Sequence, residues 1–286
     1  MEMEKKLFIT DFDGTLLKDD KTIAHEDVRT LETLRLKKIV TVIATGRSVY
    51  SFEKALKVIG MGQGDNCLPV DYVIFSTGAG IMEFPGGKVI FQKAVLSLDI
   101  PKITRYFDRR KFDYMVHKSI PDTRHFLYKF HGKHNPDFHA RLALYKEYAL
   151  PLEEGHTHCN SATEVLAVVP GGADMDSIET IKKDLSCFSV IHATSPLDYR
   201  SSWIEVFHKD VSKAKSASWL VKRLGVSRDN IISVGNDYND QDLLAWSGKG
   251  FVVENAPDSL KQLFKTVSSN NQCGVSQAVK EAGWID

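Results

Sequence analysis

Cysteine is scarce in this chain, and its four cysteines stand far apart. Cys67, Cys159, Cys187 and Cys273 form no CxxC pair, which argues against a zinc cage or a disulfide framework and fits a reducing compartment. An excess of one charge is also missing: Lys+Arg and Asp+Glu both number 37, for a formal net charge of zero. A general nucleic-acid or anionic-membrane binder carries a basic surplus, so neither partner is expected. No apolar run approaches the length of a membrane span, and MEMEKK leads into a short strand without a signal-type apolar segment. A cytoplasmic protein is the expectation. Repeats and low-complexity tracts are absent, and nothing in the sequence speaks to an oligomeric state.

What is present suits a globular protein. The 286 residues are 43% hydrophobic and 26% charged, enough for roughly two domains with real cores. Short apolar runs end abruptly in polar residues or glycine: KLFIT before Asp11, IVTVIA before Thr45, DYVIF before Ser76, NIISV before Gly235 and GFVV before Glu254. Such runs suit strands buried on both faces of a parallel sheet. Between the first two lies HEDVRTLETLRLKK, with Val28, Leu31 and Leu34 at helical spacing, so strand, helix and strand make a crossover unit. Open parallel sheets gather ligands beyond the carboxyl ends of their strands. The polar residues ending these runs are therefore candidates to meet in one crevice.

The middle of the chain changes character. From Glu83 to His208, FDYMVH, HFLYKF, EVLAVV, FSVIHA and WIEVFH read as strands, and ITRYFDRR, HARLALYKEYA and MDSIETIKKDL read as helices. The expectation is an α+β domain at 83–208 inserted into an α/β parallel-sheet domain made of 1–82 and 209–286.

Four segments carry chemistry. In FITDFDGT, extended backbone puts Asp11 and Asp13 on one side and turns Phe12 into the core; the pair reads as a turn, or as a shared cation site. A carboxylate aimed at phosphorus is a competent nucleophile, and a second carboxyl can serve as general acid and base. In VIATGRS, Thr45, Gly46 and Arg47 lie between a strand and a helix start; the hydroxyl and following N–H groups suit phosphate oxygens, or a plain helix cap. In DVSKAKSASWLVKRLG, Ser212 is a natural N-cap and Gly225 a natural stop. Lys213, Ala217, Leu220 and Leu224 then share a face, so Lys213 heads the buried stripe while Lys215 points away. In SVGNDYNDQDLL, Asn236, Asp237, Asn239, Asp240 and Asp242 form an oxygen-rich cluster, fit for a solvated turn or for a magnesium ion that keeps most of its waters.

DFDGT, ATGR, the lysine of VSK and GNDYND, in that order, resemble the motifs of the haloacid-dehalogenase superfamily, and the long insertion resembles its C2-type cap. Within that superfamily the chain is most similar to the Cof-type phosphatases, with IFSTGAGI, VENA and GVSQAVKEAG resembling further family segments. The resemblance implies a Rossmann-like core, Mg2+ as cofactor, and hydrolysis of small phosphorylated metabolites, sugar phosphates first, through an aspartyl-phosphate. It makes Asp11 the nucleophile, Asp13 the general acid/base, Thr45 (with Gly46 and Arg47) the phosphate-binding segment, Lys213 the steadying cation and Asp240 the last acid. Asp11, the Asp13 carbonyl and the first acid of the fourth motif would hold the metal. Here the chain departs from the pattern, because Asn236 stands where the family has aspartate, leaving Asn236 or Asp237 as the ligand. Ala214 for glycine and Thr77 for asparagine are lesser departures. The alternatives are a phosphomutase, a dedicated sugar-phosphate phosphatase, or a non-catalytic phosphometabolite-binding protein. His156 and His158 would share one strand face, yet without further ligands at suitable spacing they read as surface or packing residues. Trp203 and Phe207 read as strand-face packing.

Overall fold

The computed structural model describes residues 4–62, 64–153 and 160–286. The chain divides into two compact units, Met1–Phe91 with Ser212–Asp286, and Gln92–Val211. In chain order come β1 (Leu7–Thr10), α1 (His25–Leu36), β2 (Val40–Ala44), α2 (Val49–Val58), β3 (Tyr72–Phe75), β4 (Gly80–Glu83) and β5 (Val89–Gln92). Then follow β6 (Val95–Leu96), α3 (Ile100–Arg110), β7 (Asp113–Lys118), β8 (Phe126–Lys129), α4 (Pro136–Leu144), β9 (Ala149–Pro151), β10 (Ser161–Val169), α5 (Met175–Asp184), β11 (Ser189–Thr194) and β12 (Ser202–Phe207). The chain closes with α6 (Lys213–Leu224), β13 (Ile231–Gly235), α7 (Gln241–Trp246), β14 (Lys249–Val253), α8 (Asp258–Lys261), β15 (Lys265–Val267) and α9 (Gly274–Glu281).

The first unit is built on an eight-stranded sheet in the order β15-β14-β13-β1-β2-β3-β4-β5. Its strands from β15 to β3 are parallel, and β4 turns back antiparallel on β3. Both faces are covered, as the β-branched runs require. Leu7, Ile9, Val42, Ala44 and Ile74 pack against Ala217, Leu220 and Val221 of α6. Phe8, Ile43 and Val73, which alternation points the other way, are equally buried. α1 and α9 pack on each other: Ser276 donates to the buried Asp27 through its backbone N–H (2.9 Å) and its hydroxyl (2.6 Å). Because the β4–β5 hairpin extends this sheet, the first unit runs on to Phe91, past the junction expected at Glu83, and resumes at Ser212 rather than at residue 209.

The second unit has a mostly antiparallel sheet, β11-β12-β10-β7-β8-β9, with β6 also on β10. One face packs Val165, Ala167, Ile204 and Val206 on Ile103 and Phe107 of α3 and Ile178 and Ile181 of α5. The other packs Met115, Leu166, Val168 and Trp203 with Phe138 of α4. One expected helix is shorter than its periodicity suggests. HARLALYKEYA is helical only to Leu144, because Ala149–Pro151 leaves the helix to add a parallel edge strand beside β8. Among the described residues no helix is long and apolar enough to cross a membrane.

Candidate active site

β13, β1 and β2 lie side by side and parallel, so their carboxyl ends open on one edge of the first unit. Asp11 continues β1 by donating its N–H to the Val234 carbonyl at 2.9 Å. Phe12 is fully buried and packs edge-on against Phe52, ring centroids 5.1 Å apart. The two carboxylates are thereby left together on the opposite side.

Lys213 reaches this pair from across the sequence. Ser212 caps α6 by accepting from the Lys215 N–H, and Gly225 ends it in the left-handed region. With the register so fixed, Lys213 is fully buried and Lys215 is exposed. Lys213 Nζ donates to Asp11 Oδ1 at 2.7 Å and to Asp240 Oδ1 at 2.6 Å. Burial pushes the Asp11 carboxyl above the ordinary carboxylate range, with Lys213 pulling it back and Asp240 adding to the rise. Burial works against the Lys213 charge too, but Asp11 and Asp240 together outweigh it and hold the ammonium above its usual value.

Asp240 is a fixed point of the site. Its second oxygen accepts from the N–H groups of Asn236 (3.0 Å) and Asp237 (3.1 Å), the first residues past β13. Gly235 makes this approach possible, since a Cβ there would sit 2.5 Å from Asp240 Cγ. The Asp237 carboxylate is occupied locally, closing a capping box with Asp240 over the turn Tyr238–Asp240. Asn236 goes the other way. The end of its carboxamide lies 3.2 Å from Asp11 Oδ2, 3.1 Å from the Asp13 carbonyl oxygen and 3.2 Å from Thr15 Oγ1. Gly14, at φ +70°, admits it: a Cβ there would lie 2.5 Å from the other end of the amide.

Asp13 is held by a residue that the sequence places in the phosphate segment. Arg47 grips it bidentately, Nε to Oδ2 at 2.6 Å and Nη2 to Oδ1 at 2.7 Å. Thr45 is not the helix cap; Ser48 caps α2 by accepting from the Ser51 N–H. The Thr45 hydroxyl instead accepts from the Arg47 N–H at 3.0 Å, at the buried end of β2. Gly46 lies between them.

Direct contacts thus join Asp11, Lys213 and Asp240, join Asp13 with Arg47, and bring the Asn236 amide onto the Asp11 carboxylate and the Asp13 carbonyl, while Asp237 is tied to Asp240 through its N–H and its carboxylate. Thr15 was not legible as a site residue. Its one sequence signal is a hydroxyl directly after Asp-Gly and just before the apolar Leu16–Leu17. His156 and His158 lie outside the described residues. Among the described residues no group of three or more His, Cys, Asp or Glu could hold a metal. His117 is a packing residue, with Nδ1 2.9 Å from the Thr123 carbonyl and burial pushing it down to about 3.

The sequence pattern of the haloacid dehalogenase-like hydrolases matches residues 8–279. Over 96% of its length the chain is 24% identical to a putative phosphatase of Bacillus subtilis, of which it covers 97%. It is 26% identical to the 5-amino-6-(5-phospho-D-ribitylamino)uracil phosphatase YitU of the same organism, covering 98% of each chain. Among solved structures, a phosphatase of the haloalkanoate superfamily from Bacteroides thetaiotaomicron matches with a TM-score of 0.76 at 20% identity, over 99% of this chain and 97% of the other. A subclass IIB sugar phosphatase matches at 0.74 and 16%, over 98% and 100%. These strand ends, with the family pattern running almost the full length of the chain, fix its place: it belongs to the haloacid dehalogenase-like hydrolases, among their Cof-type phosphatases.

Proposed function

We propose that this protein is a magnesium-dependent phosphatase of small phosphorylated metabolites, sugar phosphates foremost. The observation that carries the reading is the buried ammonium of Lys213 set between Asp11 and Asp240. It is a preorganised positive charge beside a carboxylate, where a transferring phosphoryl group builds negative charge. Asp11 attacks phosphorus, forming an Oδ–P bond as the bond from phosphorus to the ester oxygen breaks. Asp13 gives its proton to that departing oxygen, then takes one from the water that cleaves the aspartyl-phosphate. Arg47 orients Asp13 through both oxygens, so each proton transfer exchanges one of these hydrogen bonds for one to the reacting oxygen. Thr45, Gly46 and Arg47, with Lys213, are the phosphate-binding residues of this reading.

The residues present fit a magnesium ion. The end of the Asn236 amide lies 3.2 Å from Asp11 Oδ2 and 3.1 Å from the Asp13 carbonyl oxygen, and two carboxylates share one ammonium in the same cluster. Small oxygen-ligated cations suit such a set. Asp11, the Asp13 carbonyl and Asn236 would hold the ion, which when bound offsets phosphate charge. Asp237 is less suited, because its carboxylate already caps the Asp240 N–H. For the substrate, the activities of the similar proteins, a sugar phosphatase and a phosphoribitylaminouracil phosphatase, both point to phosphorylated polyhydroxy compounds.

The test is release of inorganic phosphate from a generic phosphoester with magnesium and with a chelator, then from a panel of sugar phosphates. Asp11→Asn should abolish release while leaving the fold intact. Isomerised sugar phosphate without free phosphate would indicate a phosphomutase, and binding without turnover a non-catalytic protein.

A further inference from the structure

Strand β3 ends at Phe75, and the next three residues all take left-handed backbone: Ser76 at φ +47°, Thr77 at φ +54° and Gly78 at φ +104°. Glycine adopts this region freely, but a β-branched residue there is an outlier that its surroundings must hold in place. All three residues are buried. What holds them is the segment that carries Thr45 and Arg47. The Ser76 N–H donates to the Arg47 carbonyl at 2.8 Å, and the Thr77 N–H to the Thr45 carbonyl at 3.1 Å. Extended backbone turns successive N–H groups to opposite edges of a strand, so only a curled segment offers two in a row to one neighbour. The same turn meets α6. The Gly78 carbonyl accepts from Ser216 Oγ at 2.5 Å, and a Cβ on Gly78 would collide with the Ser212 carbonyl, one residue before Lys213.

A trans peptide is planar, with its C=O and N–H pointing opposite ways. Tying the Thr45 carbonyl to Thr77 therefore aims the Gly46 N–H away from residue 77. Tying the Arg47 carbonyl to Ser76 fixes the far end of the same three residues. We propose that Thr77, together with Ser76, is a positioning residue for phosphate binding. The strained turn aims the Gly46 N–H and fixes residues 45–47 against the start of α6 before substrate arrives. It acts through its backbone rather than its side chains. The inference rests on the phosphatase reading above and extends it to a segment outside the residues that carry the chemistry. It also gives the threonine a consequence: asparagine, which tolerates left-handed backbone, would form the same turn with less strain.

The test compares Thr77→Asn with Thr77→Gly in the full chain, with magnesium present. Both lose the threonine side chain, but asparagine keeps the backbone restricted whereas glycine frees it. Binding of inorganic phosphate is followed through the backbone 15N–H signal of Gly46. Thr77→Asn should melt above the wild type and bind phosphate as tightly. Thr77→Gly should melt near the wild type yet bind phosphate about three- to tenfold more weakly, the worth of one weakened hydrogen bond, with kcat/KM on a generic phosphoester falling in step. A merely structural residue would move the melting temperature alone, and a side-chain role would weaken both variants alike; either result overturns the inference. So would Ser76 and Thr77 amides that exchange at once with solvent in the phosphate-free protein, because the turn would then not be preset, or a wild-type Gly46 signal that ignores phosphate. Phosphate binding at Gly46 without phosphate release from any ester would refute the phosphatase reading and leave the positioning role standing.

Discussion

Replacing Lys213 by methionine keeps the length of the side chain and removes its charge. The lysine is fully buried and bonds two carboxylates at 2.7 and 2.6 Å, which leaves Asp11 and Asp240 within about 5 Å of one another. Two unit charges at about 5 Å repel by ~3 kcal/mol at an effective dielectric of about 20. Breaking a buried ion pair by removing one partner costs about 3–5 kcal/mol. Against a typical domain stability of about 5–15 kcal/mol, the variant should fold but unfold at markedly lower urea. Turnover should fall at least as far as loss of one transition-state donor takes it, about 10²–10³-fold. Lys215→Ala, two residues on and turned to nearly the opposite, exposed side of the helix, should stay within about 0.5 kcal/mol and near wild-type rate. A double-mutant cycle of Lys213→Met with Asp240→Asn sharpens the test. Removing both partners leaves less stranded charge, so the double variant should be less destabilised than the sum of the singles by about 1 kcal/mol or more. Urea denaturation followed by circular dichroism, with initial rates on a generic phosphoester, reads all of these quantities. Equal effects of the two lysine substitutions, or additivity in the cycle, would refute the placement of Lys213 between the carboxylates.

Asp237→Ala should cost about 1 kcal/mol, as loss of a cap does, and leave the magnesium titration of activity unchanged; a weaker magnesium response would put its carboxylate in the metal shell. Arg47→Met should lower kcat by freeing Asp13, and Arg47→Lys should rescue little, because an ammonium cannot reproduce the bidentate grip. Equal rates for lysine and arginine would show that the fork is not used. Burial raises the Asp27 carboxyl above its ordinary 3.8, with the Ser276 hydrogen bonds only partly offsetting it. A proton held more tightly in the folded state gives stability that is full below the ordinary value and is lost as pH rises through the raised one. Asp27→Asn has nothing to ionise there, so its stability relative to wild type should climb from acid to neutral pH, and a flat difference in urea midpoints would remove Asp27 from the pH dependence.

Much of this was written locally in the chain. Ser212 and Gly225 fix the ends of α6, and that register alone picks Lys213 over Lys215. The apolar runs that stop at Asp11, Thr45 and Gly235 are strands of one parallel sheet, so their ends meet. The resemblance of the four motifs to the haloacid-dehalogenase pattern covered the same residues. Contacts between distant segments were not legible. Nothing local to Arg47 says that its guanidinium turns back to Asp13 on a different strand, and nothing local to Asp27 says that Ser276 will bury it. Thr15 is one of many threonines, and only the carboxamide of Asn236, brought in from β13, gives it a task. The overlong helix at 139–149 failed for a related reason: helical periodicity persists in the sequence where the edge of the second sheet recruits Ala149–Pro151 as a strand.

The strand order has a bearing on how the molecule is made. β1 emerges during synthesis well before β13, yet one of its two hydrogen-bonding edges waits for that strand, which follows the whole second unit in sequence. A nascent chain that has not reached Gly235 carries the nucleophile's strand as an open edge, a template for pairing with other chains. Val234, whose carbonyl receives the Asp11 N–H, and Asp240, which shares Lys213 with Asp11, come only with the last quarter of the polypeptide. The same order that puts Asp11 in the middle of the sheet therefore delays its shelter until late in synthesis, and leaves partly synthesised chains dependent on the ribosome or a chaperone to keep that edge apart.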